Sequence, residues 1–215
     1  MYTADKIRGF KQTHQPSPWM NDYGQFALMP ITGALRFDQN DRASWFSHKS
    51  ETVKPHYYSV YLADHDITTE ITPTSRAAFF RFTFPETDSA HVVIDAMDEG
   101  SFVEVLKEEN MIRGYTTKNS GGVPDNFRNY FIIKFDKDFE AVHTFKDSVL
   151  SKDPKAEADH VGAVVSFKTA KGEFRGEIAS IQVIETQTDT VPTPTPVATP
   201  RPTATPKPIS TPAPY

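Results

Sequence analysis

The sequence contains no cysteine. That removes disulfides, thiolate metal sites and cysteine nucleophiles together, without fixing the compartment. No apolar run approaches the ~20 residues that span a bilayer, so no membrane span is expected. The start, Met1-Tyr2-Thr3-Ala4-Asp5-Lys6, lacks the charged-then-apolar pattern of a secretory signal peptide. A basic stripe is missing too. Lys+Arg 23 against Asp+Glu 28 gives a formal net charge of −5 with the cations scattered, which argues against a nucleic-acid partner.

What is present divides the chain in two. Residues 188–215 hold nine of the 17 prolines, none of the ten glycines and a single aromatic, Tyr215. Proline fixes φ and removes a donor, so Pro192-Thr193-Pro194-Thr195-Pro196 and its neighbours predict an extended, disordered linker. Thr/Pro spacers of this kind resemble those between modules of secreted bacterial enzymes; a ligand for a proline-recognising partner is the alternative. Residues 1–187 carry all 16 Phe, both Trp and seven of the eight Tyr. They are enough for one domain with a sizeable aromatic core, and too few for a two-domain enzyme.

Within 1–187, period-2 alternation and β-branched or aromatic runs dominate. Strands are predicted at 57–62, 67–71, 78–84, 91–95, 129–135, 141–145, 162–168 and 174–184. Phe80, Phe82 and Phe84 share one face while Arg81 and Thr83 share the other, as in a half-buried antiparallel strand. The segment 101–118 also fits a helical period, but Gly114 and Thr116-Thr117 favour a hairpin turning at Lys107-Glu108-Glu109-Asn110. The fold class is all-β, an antiparallel β-sandwich of two sheets packed face to face.

The least strand-like stretch, residues 9–33, gathers Thr13, His14, Gln15, Trp19, Asn21, Asp22 and Tyr23 around Pro16 and Pro18. Sugars are bound by an aromatic plate against the ring's C–H face, with amide, carboxylate and imidazole groups on the hydroxyls, so this loop reads as a candidate carbohydrate site. A purely structural loop satisfies the composition equally well.

At this loop the chain resembles a known family. Gly9-Phe10-x-x-Thr13-His14, then Asp22-Tyr23-Gly24 and Leu28-Met29-Pro30, look like the signature of the N-terminal domain of glycoside hydrolase family 92, the calcium-dependent, inverting exo-α-mannosidases. Tyr57-Tyr58-x-Val60-x-Leu62, Ile67-Thr68-Thr69-Glu70-Ile71-Thr72-Pro73-Thr74-x-Arg76 and Phe82-Thr83-Phe84-Pro85 continue the likeness, which spans roughly residues 2–181. The resemblance implies a galactose-mutarotase-like supersandwich, incomplete at its N-terminus. It implies release of terminal α-mannose from glycans, as in N-glycan processing and carbohydrate metabolism, by a parent that is extracellular or on the cell surface. Mannose-containing glycans are the implied partners, with Thr13, His14, Gln15, Trp19 and Asp22 as substrate-binding positions. A loop that mainly docks two domains is the competing role. Gln15-Pro16-Ser17-Pro18-Trp19 departs from the Leu-Ser-Gly of many members and implies a reshaped pocket rim.

The family carries its catalytic acid, catalytic base and calcium ligands in a second, α-helical domain. The resemblance therefore implies a truncated chain with no catalytic residue, no cofactor of its own, and the family's catalytic domain as missing partner. A stand-alone mannoside-binding module, or a domain that docks onto a separate catalytic polypeptide, are the alternatives. An inverting glycosidase needs two carboxylates ~6.5–9.5 Å apart, one with a raised pKa. Asp64/Asp66, Asp95/Asp98/Glu99 and Asp136/Asp138 all fall beside strand ends or turns, where Asp commonly caps backbone. His48, His56, His65, His91, His143 and His160 show no zinc spacing and read as ordinary histidines. Glu70 and Arg76 match family positions, and a strand Glu near an Arg reads as an ion pair.

Overall fold

A computed structural model describes residues 4–11, 26–74, 77–119 and 124–170, and the strand at 177–186 by its backbone. Seventeen strands appear among them. The first half holds β1 (Lys6–Ile7), β2 (Phe10–Lys11), β3 (Ala27–Thr32), β4 (Ser44–Trp45), β5 (Thr52–Lys54), β6 (Tyr57–Leu62), β7 (Ile67–Pro73), β8 (Ala77–Thr83) and β9 (Ala90–Asp95). The second half holds β10 (Ser101–Leu106), β11 (Met111–Thr116), β12 (Asn129–Lys134), β13 (Ala141–Lys146), β14 (Val149–Ser151), β15 (Lys155–Ala158), β16 (Val161–Phe167) and β17 (Glu177–Thr186).

They form a nine-stranded sheet in the order β15-β10-β11-β12-β17-β8-β7-β6-β5, a six-stranded sheet in the order β14-β13-β16-β9-β3-β2, and a two-stranded β1-β4 ribbon. Every pairing is antiparallel. In the nine-stranded sheet, β5 to β8 form one meander and β10 to β12 another. β17 lies between β8 and β12 and joins the two.

Alternation decides the faces. Phe80 is 6% exposed while Phe82 and Phe84 are fully buried, and Arg81 between them is exposed. Phe10 on β2 packs against Tyr58 and Phe80 across the sandwich, and Phe26 stacks on Phe131 with centroids 4.5 Å apart. The hairpin from β10 to β11 turns through a short 3-10 segment, Lys107–Glu109, and closes at Asn110 with φ 51°. Asparagine tolerates that left-handed conformation better than most residues.

The six-stranded sheet is covered on both faces, and β9 and β16 are buried at every position. One face meets the nine-stranded sheet. The other meets the excursion between β3 and β5, where Phe37 stacks on Phe145 at 4.9 Å and Gly33 accepts a hydrogen bond from His91 Nε2. β3 lies inside the stretch expected to be least strand-like, and its double coverage accounts for its apolar run. A strand buried on both sides shows a continuous apolar run rather than alternation, and Pro30 obscures it further. Pro30 lies beyond the two residues of β2, so β3 is an edge strand there, the position where sheets tolerate proline.

Candidate functional site

Residues 12–25 leave the six-stranded sheet at Lys11 on β2 and return at Phe26, just before β3. A single cross-strand row runs through these roots: Lys11 opposite Ala27, Ala27 opposite Asp95, Asp95 opposite Gly162 and Gly162 opposite Phe145. Residues in such a row share a face, here the one covered by the β3–β5 excursion.

Asp95, at the centre of that row, is 1% exposed, as is its partner Arg42. Arg42 Nη2 donates to Asp95 Oδ2 at 2.7 Å, Nε to the Arg8 carbonyl at 2.9 Å and Nη1 to the Phe37 carbonyl at 2.8 Å. One guanidinium thus ties the chain entering β2 to the excursion and to β9. Asp95 Oδ1 accepts from the Met97 N–H at 3.0 Å and from His160 Nε2 at 2.8 Å, and Gln39 Nε2 approaches Oδ2 at 3.4 Å. His65 supports the node from behind: Nε2 donates to the Arg42 carbonyl at 3.0 Å, and Nδ1 faces the Thr32 N–H at 3.4 Å.

The electrostatics follow from these contacts. Burial works to raise the pKa of Asp95, but the His160 hydrogen bond and the charge of Arg42 outweigh it and hold the carboxyl down at about 2. The hydrogen bond to Asp95 raises the pKa of His160 against the opposing effect of burial, and the charges of Asp95, Asp98 and Asp147 add to the rise. Burial lowers the pKa of His65, which fits a neutral ring donating through Nε2. A carboxylate this acidic and this enclosed does not protonate a leaving group; it holds backbone in place.

Most of the other candidate carboxylates have structural partners as well. Asp64 Oδ2 accepts the Trp45 N–H at 2.9 Å, and Asp66 accepts the Tyr61 hydroxyl at 2.8 Å. Asp98 and Glu99 both reach Lys118 Nζ, at 3.0 and 2.7 Å, and Asp138 accepts from Asn110 Nδ2 at 2.6 Å. Glu70 takes the Tyr57 hydroxyl at 2.6 Å and faces Arg81, its register partner, at 3.5 Å. Its cation is therefore Arg81, while Arg76 lies outside the described residues.

Among the described residues four carboxyls depart clearly from their ordinary pKa, and all four are lowered. Burial opposes ionisation of Glu51, yet the Tyr58 and His48 hydrogen bonds prevail. Lys118 lowers Asp98, and Lys155 followed by Arg113 lowers Glu104. A general acid needs the reverse shift. Among the described residues no three His, Asp or Glu side chains converge on a metal-binding set.

Thr13, His14, Gln15, Trp19 and Asp22 all lie outside the described residues; the structure describes the roots that carry them. Of the histidines taken as ordinary, His91 fits that reading: Nδ1 meets Ser166 Oγ at 2.8 Å and Nε2 the Gly33 carbonyl at 3.0 Å. His160 does more, as Asp95's second partner. Arg42 carried no sequence signal, because Asn40-Asp41-Arg42-Ala43-Ser44 reads as a polar turn and the contacts that bury it come from residues 34 and 53 positions away.

Comparison with known proteins agrees with the geometry. Residues 1–175 match the Glycosyl hydrolase family 92 N-terminal domain. Among solved structures, a family GH92 inverting mannosidase from Bacteroides thetaiotaomicron superposes with a TM-score of 0.79 at 37% identity, covering 86% of this chain and 25% of that one. A family GH92 α-mannosidase of the same organism, solved with mannoimidazole, gives 0.71 at 27% identity, covering 86% and 26%. A GH92 family glycosyl hydrolase at 22% identity and TM-score 0.70 shares the fold. The chain thus spans about a quarter of the length of the solved structures it matches. No curated protein matches it by sequence.

Proposed function

The chain belongs to the family of glycosyl hydrolase family 92 N-terminal domains, and from that premise we propose that it is the mannoside-facing β-sandwich of an α-mannosidase, not catalytic by itself. The observation that carries this reading is the 37% identity, over 86% of the chain, to an inverting mannosidase. The parent reaction is hydrolysis of terminal α-mannosidic bonds in glycans, with the calcium held by the family's second domain. An extracellular or cell-surface setting belongs to the same proposal.

In this reading Thr13, His14, Gln15, Trp19 and Asp22 line the sugar pocket from the sandwich side. Their carrier supports it. The chain entering β2 is tied to the buried Arg42–Asp95 pair through the Arg8 carbonyl, and β3 pairs with β9 at Asp95; a binding loop needs a rigid base to present an aromatic plate and its polar neighbours. The four shifted carboxyls, all acidified, argue against an acid/base pair within the described sandwich. Docking onto a catalytic polypeptide is the second reading.

Calorimetric titration of the purified chain with mannoimidazole or methyl α-mannoside tests the proposal. Saturable binding is expected, weakened about tenfold or more by Trp19→Ala and by His14→Ala, with no mannose released from an aryl α-mannoside. A flat titration with folded protein rejects the pocket-lining role. Mannose release by contaminant-free protein rejects the non-catalytic one.

A further inference from the structure

The outer face of the nine-stranded sheet carries an aromatic row that the candidate site does not use. Tyr130 on β12 stands opposite Tyr115 on β11, Tyr115 opposite Phe102 on β10, and Phe102 opposite Glu157 on β15. Their chain neighbours Ser101, Val103, Thr116, Asn129 and Phe131 are buried in the sandwich, so the three rings point outward, and each is half-buried. Phe102 stacks on Tyr115 and Tyr115 meets Tyr130 edge-on, both with centroids 5.7 Å apart. Among the described residues their ring partners are one another and Arg128, whose guanidinium lies 4.5 Å from the Tyr115 centroid.

The chain leaves the sheet beside this row. β17 ends at Thr186, the register partner of Tyr130, whereas its last pair with β8 is Ile184 with Ala77. The strand next to the exit is therefore β12, and the Pro/Thr repeats begin shortly after it, at Pro192. We propose that residues 192–196 lie back across the Tyr130–Tyr115–Phe102 row as a polyproline-II strand, so that the proline-recognising partner of the tail is this chain's own sheet.

Length and chemistry agree. The row crosses two strand spacings, ~10 Å, and the steps from Pro192 to Pro196 cover ~12 Å in polyproline II. Residues 187–191 extend up to ~17 Å, enough for the chain to turn back onto the face. Proline-rich segments dock on aromatic rows because their rings pack against aromatic ones and their backbone is already set, so little entropy is lost on binding. Their carbonyls need donors from the partner. Arg128 donates to the Tyr130 hydroxyl oxygen, which leaves the hydroxyl proton and the other guanidinium N–H groups for tail carbonyls. Tyr115 contributes ring surface, since its hydroxyl already donates to Glu157 Oε1 at 2.6 Å. The tether supplies an effective concentration on the order of millimolar, so a weak contact suffices. Docking does not depend on what residues 12–25 bind.

Because the chain has no cysteine, Thr195→Cys gives a single labelling site in the full chain. A nitroxide there is expected to broaden the amide resonances of residues 101–103, 114–116 and 129–131 and to leave those of β6 sharp. Replacing Pro192, Pro194 and Pro196 together by alanine keeps the tether and leaves the sandwich untouched, and the broadening is expected to fall by about threefold or more. Tyr130→Thr, which keeps a strand-forming residue in place, gives a similar fall while the amides of the other sheet stay unshifted. Absence of broadening over the row overturns the proposal. So does broadening that persists unchanged with the alanine-substituted tail, which is tether proximity alone, or broadening shared equally by β6. Mixing spin-labelled chain with unlabelled, isotope-enriched chain tests the other occupant: broadening in that mixture puts a second copy's tail on the row and overturns docking within one chain.

Discussion

Gly162 is where the packing around the node leaves least room. A Cβ built there meets Phe145 Cζ at 2.1 Å, Phe145 Cε1 at 2.4 Å and the Ile94 carbonyl at 2.3 Å. The ring cannot simply rotate aside, since Phe37 stacks on it at 4.9 Å and His160 stands edge-on at 5.8 Å. Ordinary contact requires Phe145 to retreat by about 1 Å or more, while the backbone carbonyl of β9 has no rotamer to change. Overpacking of this sort costs about 1–3 kcal/mol, and disturbing an aromatic pair adds about 0.5–1.5 kcal/mol. Gly162→Ala is therefore expected to destabilise by about 3 kcal/mol, a Tm loss of about 6–12 °C at this size. Thermal unfolding followed by near-ultraviolet circular dichroism measures it. Adding Phe145→Leu should recover part of the loss, although Phe145→Leu alone destabilises, so the pair is strongly non-additive. A Tm within about 2 °C of wild type in Gly162→Ala would refute the reasoning.

Two further expectations follow from the node and the sheet. Asp95 has a folded pKa lowered to about 2 from 3.8, so its contribution is present above pH ~4 and is lost as pH falls toward 2. Urea unfolding should show about 2 kcal/mol less stability at pH 2 than at pH 4.5 from this group, a component absent in Asp95→Asn, and an equal acid loss in that variant would contradict the assignment. Ending the chain at residue 187 should leave unfolding as cooperative as in the full chain, whereas ending it at 176 removes β17 and opens β8 and β12 along their length. Sedimentation should then show association, and a monomeric, cooperatively unfolding 1–176 would count against β17 as the joint between the meanders.

The long alternating strands were legible from the residues because one face of each is wet. Residues 57–62 and 129–135 were placed almost to the residue, and the 107–110 turn was identified through Gly114 and the paired threonines. β3 was obscured by Pro30 and by its place in a stretch rich in turn-forming residues, and β17 was displaced by two to three residues. The family was readable at its loop, where Gly9-Phe10-x-x-Thr13-His14 and Leu28-Met29-Pro30 stand close together. The Arg42–Asp95–His160 node was not. Arg42, Asp95 and His160 are separated by 53 and 65 residues, and nothing local distinguishes a buried arginine in a polar turn from a solvated one. Only the topology, which places β9 between β3 and β16, brings them together.

That β17 sits in the middle of the nine-stranded sheet has a consequence for synthesis on the ribosome. Each meander can pair within itself as it emerges, through contacts local in sequence, but the sheet cannot close until residues 177–186 are free to enter between β8 and β12. Until then the nascent chain shows two open edges whose proper occupant has not been made. Folding therefore waits on the slowest kind of contact, one of high sequence separation, and the interval before β17 arrives is when the chain depends most on chaperone cover.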